Sequence, residues 1–257
     1  MIIIATTTLL TLGTTTKINA NDDKKGISVG GIILGYHSPF EAENTKPNGD
    51  GKVSLNAFPY VSYYGDYFYI DGTEIGMNIL STGKDSDMSF RLDTFVGARM
   101  IAGSSRNKLT ADGGVKASIS GDFGFLGASF LHDITGTHNG TEAKITYGYS
   151  FRGDKYSFTP TASLIRMNSK MTNHMYGVST DQHVKMIENG DPLLPIYNIN
   201  STSTNIALEG IFTYDINETI TFLSYANVTF LDSVIKNNPG INLNQESSLG
   251  FGLVINF

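Results

Sequence analysis

The sequence predicts an all-β chain, an antiparallel transmembrane β-barrel of twelve strands, with ten as the alternative count. Three observations predict it. The chain closes on a segment whose every second residue is apolar. The same alternation recurs from residue 26 onward. The connections between the alternating segments are short and long in turn.

The closing segment carries Leu249, Phe251, Leu253, Ile255 and Phe257 on one face. Ser248, Gly250, Gly252, Val254 and Asn256 lie on the other. A strand sends successive side chains to opposite sides, so one face is a continuous apolar stripe and the other is mostly small or polar. A strand that stops on a Phe suits the last wall strand of an outer-membrane barrel, with the ring at the aromatic girdle. A soluble β-sandwich is the alternative, with the same stripes turned into a two-layer core.

The start of the chain reads as an export signal over residues 1–20, leaving 21–257 as the barrel. Residues 2–12 are an apolar core diluted by threonines, and Ile18-Asn19-Ala20 is a small-residue cleavage site ahead of the charged segment 21–25. No Lys or Arg precedes the core, so a first barrel strand or an uncleaved anchor is the alternative. The net charge of −6 speaks against nucleic acid as a partner. No apolar run is long enough for a spanning helix, which leaves strands as the way across a bilayer. With 28 Gly and 28 Tyr and Phe together (13 and 15) against 7 Pro, the composition suits many strands, tight turns and aromatic belts. The absence of cysteine removes disulfides, thiol catalysis and thiolate metal sites.

From residue 26 the strands follow in order. Residues 26–36 form a Gly- and Ile-rich strand, and 37–51, with Pro39, Pro47 and Asn48-Gly49-Asp50-Gly51, form a loop. Val53, Leu55, Ala57, Pro59, Val61 and Tyr63 share one face. The turn signal Asp71-Gly72 divides 66–80 into two strands and brings the count to twelve, the first half being too short to cross the bilayer core. Ile75, Met77 and Ile79 share a face of the second. Met88, Phe90, Leu92, Val96 and Ala98 oppose Ser89, Arg91, Asp93, Gly97 and Arg99. After a loop at 103–112, Val115, Ala117 and Ile119 alternate with Lys116, Ser118 and Ser120. A turn at 121–124 leads into 125–131, and a loop follows at 132–140. Ala143, Ile145, Tyr147, Tyr149 and Phe151 alternate with Glu142, Lys144, Thr146, Gly148 and Ser150. After a turn at 152–155 come Tyr156, Phe158, Pro160, Ala162 and Leu164. Residues 170–203 are the longest connection. Ile206, Leu208, Phe212 and Tyr214 are followed by a turn at 215–218, and then by Ile220, Phe222, Ala226, Val228 and Phe230. The loop 232–245 precedes the closing strand.

The short turns at 82–87, 121–124, 152–155 and 215–218 alternate with the longer connections at 102–112, 132–140, 170–203 and 232–245. Outer-membrane barrels have this asymmetry, with short periplasmic turns and long extracellular loops. On the polar faces the barrel reading turns Glu74, Arg91, Asp93, Arg99, Lys116, Glu142, Lys144 and Glu209 into the lumen, where opposite charges can pair. The connection 170–203 is unusually apolar for a solvated loop. It carries Met175, Tyr176, Met186, Leu193, Leu194 and Tyr197 and is expected to fold over the barrel mouth.

Three clusters carry residue types with possible chemistry. His132-Asp133 with His138 has the residue types of acyl transfer, but neighbours in an extended segment point apart. His174 and His183 with Asp181 and Glu188 lack metal-ligand spacing. Asn48-Gly49-Asp50-Gly51 lacks the ligand ladder of a calcium loop. No catalytic, metal or cofactor site is assigned.

The segments 132–143 and Tyr147-Gly148-Tyr149 resemble the MipA/OmpV family of outer-membrane proteins. So do Phe158-Thr159-Pro160, Tyr176-Gly177-Val178-Ser179, the run 63–69 with the pattern up to Gly76, and the terminal Asn256-Phe257. The resemblance implies an outer-membrane barrel in a Gram-negative envelope, seated in lipid and without enzymatic chemistry. It implies a scaffold linking a murein synthase to a lytic transglycosylase, with porin-like or adhesive roles in other members. The family supplies no catalytic residues to carry over.

Overall fold

The computed structural model describes residues 26–44, 54–83, 87–99 and 109–257. The strands are β1 (Gly26–His37), β2 (Ser54–Tyr64), β3 (Phe68–Asp71), β4 (Glu74–Thr82), β5 (Met88–Arg99), β6 (Thr110–Gly121) and β7 (Gly124–Asp133). They continue as β8 (Thr141–Gly148), β9 (Phe151–Arg152), β10 (Tyr156–Met167), β11 (Ser203–Asp215), β12 (Ile220–Phe230) and β13 (Gln245–Asn256). Each pairs antiparallel with its neighbours, β13 pairs with β1, and β10 pairs with β11, so the sheet closes on itself. Residues 1–25, including the expected export signal, lie outside the described residues, as does Asn48-Gly49-Asp50-Gly51.

The wall has twelve strands because β8 and β9 are one strand interrupted. Their registers on β10 are continuous, with Gly148 opposite Thr161 and Phe151 opposite Phe158. Between them Tyr149 donates to the Pro160 carbonyl at 3.2 Å. Pro160 has no N–H to return, and the ladder breaks there. The twelfth strand is supplied by the short β3. Tyr69, Ile70 and Asp71 pair with Ser62–Tyr64 on one side, and all four of its residues pair with Glu74–Met77 on the other.

Alternation sets which residues face lipid. On β13, Leu249, Phe251, Leu253, Ile255 and Phe257 all point outward and are exposed, while Glu246, Gly250, Gly252 and Val254 are buried inside. The outward rows of the other strands are equally apolar: Ile27, Val29 and Ile33 on β1, Ile145 and Tyr147 on β8, Leu164 on β10, Ile206 and Leu208 on β11. On β4 the register shifts between Asn78 and Leu80, and the bulge leaves both Ile79 and Leu80 outside. Aromatic rings cluster toward the turn end, with Tyr63 5.0 Å from Phe68, Tyr149 4.9 Å from Phe151, and Tyr156 6.4 Å from Phe212. A closed barrel with an outward apolar band and an aromatic girdle satisfies every wall hydrogen bond internally while facing hydrocarbon.

The inside is filled. Ile32, Leu34, Phe58, Tyr60, Ile211, Leu223, Tyr225 and Val254 form a buried cluster against the wall from β11 through β13 to β2. Between β3 and β4 the fill depends on a glycine: a Cβ on Gly76 would stand 2.2 Å from Cζ of the Tyr69 ring. That ring is 2% exposed and donates its hydroxyl to Glu74 at 2.7 Å. Gly76→Ala is expected to destabilise the barrel by about 1–3 kcal/mol through overpacking. A lowered urea midpoint would show it, and adding Tyr69→Ala should recover part of the loss.

The connection 168–202 departs from the sequence expectation of a loop. It holds helices α2 (Ser169–Tyr176) and α3 (Thr180–Asn189). A short helix, α1 (Glu41–Asn44), precedes β2, and another, α4 (Ser233–Lys236), precedes β13. Asn168 caps α2 by accepting from the Met171 N–H, and Ser179 with Gln182 makes a reciprocal capping box on α3. Gly190 ends α3 in the left-handed region, φ 67°.

Candidate functional site: a charged interior beneath a helical cap

The cap is built from the apolar spacing of its helices. Met171 and Met175, one turn apart on α2, are buried with Tyr176, Val178, Met186, Leu194 and Ile199. They pack with Phe40 from the β1–β2 connection, Phe95, Leu131 and Met167 from the wall, and Leu231, Ile235 and Ile241 beside α4. Of the mouth residues named from the sequence, Met175, Tyr176, Met186 and Leu194 are inside this core. Tyr197 packs against it, and Leu193 is exposed. The connection closes on itself where Val178 and Tyr197 exchange backbone hydrogen bonds of 2.8 and 3.0 Å. Asn238 donates to the Tyr176 carbonyl at 2.7 Å and joins the cap to the β12–β13 connection.

Beneath the cap, alternation along five strands aims charges inward. Lys116 of β6 pairs with Glu74 of β4, whose carboxylate also accepts from Tyr69. The Lys116 ammonium lies 4.3 Å from the centre of the Phe95 ring. Arg91 bonds Asp93 at 2.8 Å on the same strand. Arg99 bonds Asp112 through Nε and Glu142 through Nη1 at 3.2 Å. Lys144 reaches Glu209 at 3.0 Å, and Tyr225 donates to the other oxygen of that carboxylate at 3.3 Å. The eight charged residues named from the sequence thus lie inside and in contact with opposite charges. Closer to the turn end come hydroxyl pairs: Ser89 with Ser120, Ser150 with Thr159, and Ser157 with Thr213.

Glu246 fastens the cap to this network. It accepts from Tyr36 of β1 at 2.9 Å and from Tyr176 of α2 at 3.1 Å. Between the network and the cap lies a cavity of about 80 Å³, lined by Arg99, Lys116, Glu142, Lys144, Met175 and Tyr176 among others. Space of that size holds several waters.

Sequence reading missed Asp112, Glu246 and, of the tyrosines of this network, Tyr36, Tyr69 and Tyr225. Asp112, the last residue of the loop expected at 103–112, stands on β6 opposite Gly97 and Asp133. Continuing the inward row Lys116, Gly114 back two residues would have found it.

The β7–β8 connection is shorter than the expected 132–140, since β7 runs through Asp133. Asp133 shapes it, accepting from the Thr135 N–H and hydroxyl on one oxygen and from the His138 and Asn139 N–H groups on the other. His132 points outward and Asp133 inward. His132 Nδ1 lies 3.1 Å from the Gly140 carbonyl, and His138 Nδ1 accepts from the Gly140 N–H at 2.9 Å. His138 lies inside, its ring stacked 4.2 Å from that of His174 on α2. Burial holds its imidazole below the ordinary value, against the pull of the Asp133 and Asp112 carboxylates. His183 is elsewhere, its Nδ1 2.7 Å from the Leu194 carbonyl. The group Asp112, Asp133 and His138 brings three metal-ligating atoms within 4.8 Å of one another.

Several solved structures match the chain at low similarity. The outer membrane channel DcaP of Acinetobacter baumannii is 11% identical, with 91% of this chain and 96% of that one covered and a TM-score of 0.38. OccAB3 of the same organism is 9% identical, with coverages of 92% and 66% and a TM-score of 0.36. Neisserial surface protein A is 11% identical, with coverages of 90% and 97% and a TM-score of 0.27. Likeness at this level carries nothing about function. No curated protein matches the sequence. The profile of the family described as "MltA-interacting protein MipA" matches residues 42–257, and the chain belongs to that family, as an outer-membrane β-barrel of a Gram-negative envelope.

Proposed function

We propose that the protein is a non-enzymatic scaffold of the outer membrane, one that holds murein-synthesising and murein-hydrolysing enzymes at the membrane. The observation that carries the reading is the filled interior. A buried apolar cap covers the loop end, paired charges occupy the space beneath it, and an aliphatic and aromatic cluster packs against the wall below. A barrel packed in this way is a rigid wall that presents loops and turns, rather than a conduit. The family's description as an interacting protein of MltA supports a partner in murein turnover. The second reading, a diffusion channel, is favoured by the charge-lined cavity under the cap.

Two measurements test the proposal. In planar bilayers the purified protein is expected to stay silent; stepwise conductance would support the channel instead. After gentle cross-linking in cells, a murein synthase and a lytic transglycosylase are expected to co-purify with it. Silence without those partners, together with retained binding of whole cells to a host surface, would move the reading to an adhesin.

A further inference from the structure

We propose that Asp112, Asp133 and His138 form a divalent transition-metal site, suited to zinc, at the loop end of the barrel. The geometry comes first. His138 Nε2 stands 3.8 Å from Asp112 Oδ1 and 3.8 Å from Asp133 Oδ2. Those distances are too long for hydrogen bonds. Ligand atoms held by one zinc ion at about 2.0–2.2 Å stand roughly 3.4 Å apart, so the imidazole needs to close on each carboxylate by only a few tenths of an ångström, and all three atoms already lie within 4.8 Å of one another. The His138 and Asp112 side chains are 3% and 4% exposed, and His138 Nε2 and Asp112 Oδ1 both face the gap without a hydrogen-bond partner. Two orphaned polar atoms aimed at each other across a buried gap are costly unless something lies between them.

Charge points the same way. Asp112, Asp133 and Glu142 bring three carboxylates against the single guanidinium of Arg99. The excess is two negative charges, a divalent cation's complement. One imidazole with two carboxylates is a donor set for zinc, with a water as the fourth ligand. The carboxylates are already oriented. Arg99 holds the second oxygen of Asp112, and four donors of the 134–140 connection hold Asp133. One contact opposes binding: the Gly140 N–H donates to His138 Nδ1 at 2.9 Å, so the neutral ring carries its proton on Nε2. Coordination through Nε2 moves that proton to Nδ1 and gives up the Gly140 contact. The site is therefore of micromolar rather than structural-zinc strength.

The test uses the full chain folded in detergent micelles, titrated with zinc chloride by calorimetry. The expected result is one zinc per chain, weakened at least about tenfold by His138→Ala and by Asp112→Asn. His183→Ala, which alters a cap histidine remote from the cluster, should leave it unchanged. Heat-modifiable migration on gels reports whether each variant folds. If Asp112→Asn does not fold, His138→Gln, which keeps the side chain's bulk, decides in its place. No stoichiometric uptake overturns the proposal, and so does uptake that survives the His138 variants or is lost equally in His183→Ala.

Discussion

Arg99→Leu is expected to destabilise the barrel by about 3–5 kcal/mol, the usual range for removing one partner of a buried ion pair. Arg99 is 4% exposed and sits between Asp112 and Glu142. Its loss leaves the buried Asp112 and the half-buried Glu142 without the guanidinium that offsets their desolvation. Urea unfolding in micelles, followed by heat-modifiable migration on gels, measures the loss directly. The informative comparison is the triple variant Arg99→Leu, Asp112→Leu, Glu142→Leu. Replacing a whole buried ionic group by apolar residues of similar volume is often close to neutral, so the triple variant should regain most of what the single variant loses. If it stays as unstable as Arg99→Leu, the group contributes attraction well beyond its own desolvation. If Arg99→Leu alone costs less than about 1 kcal/mol, water reaches the pair and the interior beneath the cap is wet.

This network shows how far a period of two carries. Arg91, Asp93 and Arg99 stand on one inward row of β5, with Lys116 on β6 and Lys144 on β8 in matching rows, and all were legible as polar beats between apolar ones. The barrel was legible for the same reason, since hydrocarbon outside and polar contacts inside impose one rule on every strand. Asp112 was lost because a strand's end carries no alternation of its own: β6 begins at Thr110, and its first residues look like loop. The inward tyrosines, Tyr36, Tyr60, Tyr69 and Tyr225, were lost for a different reason. In a membrane barrel an aromatic ring suits either face, the girdle or the fill, and sequence does not tell them apart. The cap helices were missed although Met171 and Met175, and the box from Ser179 to Gln182, were written in the chain. Helices of eight and ten residues are marginal alone. These are held by burial against Phe40, Leu131 and Ile235, residues far away in sequence.

Leu253→Arg is expected to cost about 2–4 kcal/mol, the penalty for a cation on the lipid face near the bilayer midplane. Leu253 is the middle residue of the outward row on β13, opposite Gly31 of β1 and Phe222 of β12, and it is 53% exposed to the surroundings of the barrel. In a soluble sandwich the same row would be core, and an arginine there would unfold the protein in every medium. In the barrel the penalty belongs to the hydrocarbon, so the variant tells the two settings apart. Folding into bilayers should weaken by the full amount, whereas in short-chain detergent, where the guanidinium reaches water, the loss should shrink below about 1 kcal/mol. Phe257→Arg supplies the depth control. Phe257 lies at the end of the same row, beside the turn-end girdle, and at the interface the same charge costs only about 0–1 kcal/mol. Equal losses at the two positions, or a Leu253→Arg loss as large in detergent as in bilayer, would mean that this row does not face a bilayer.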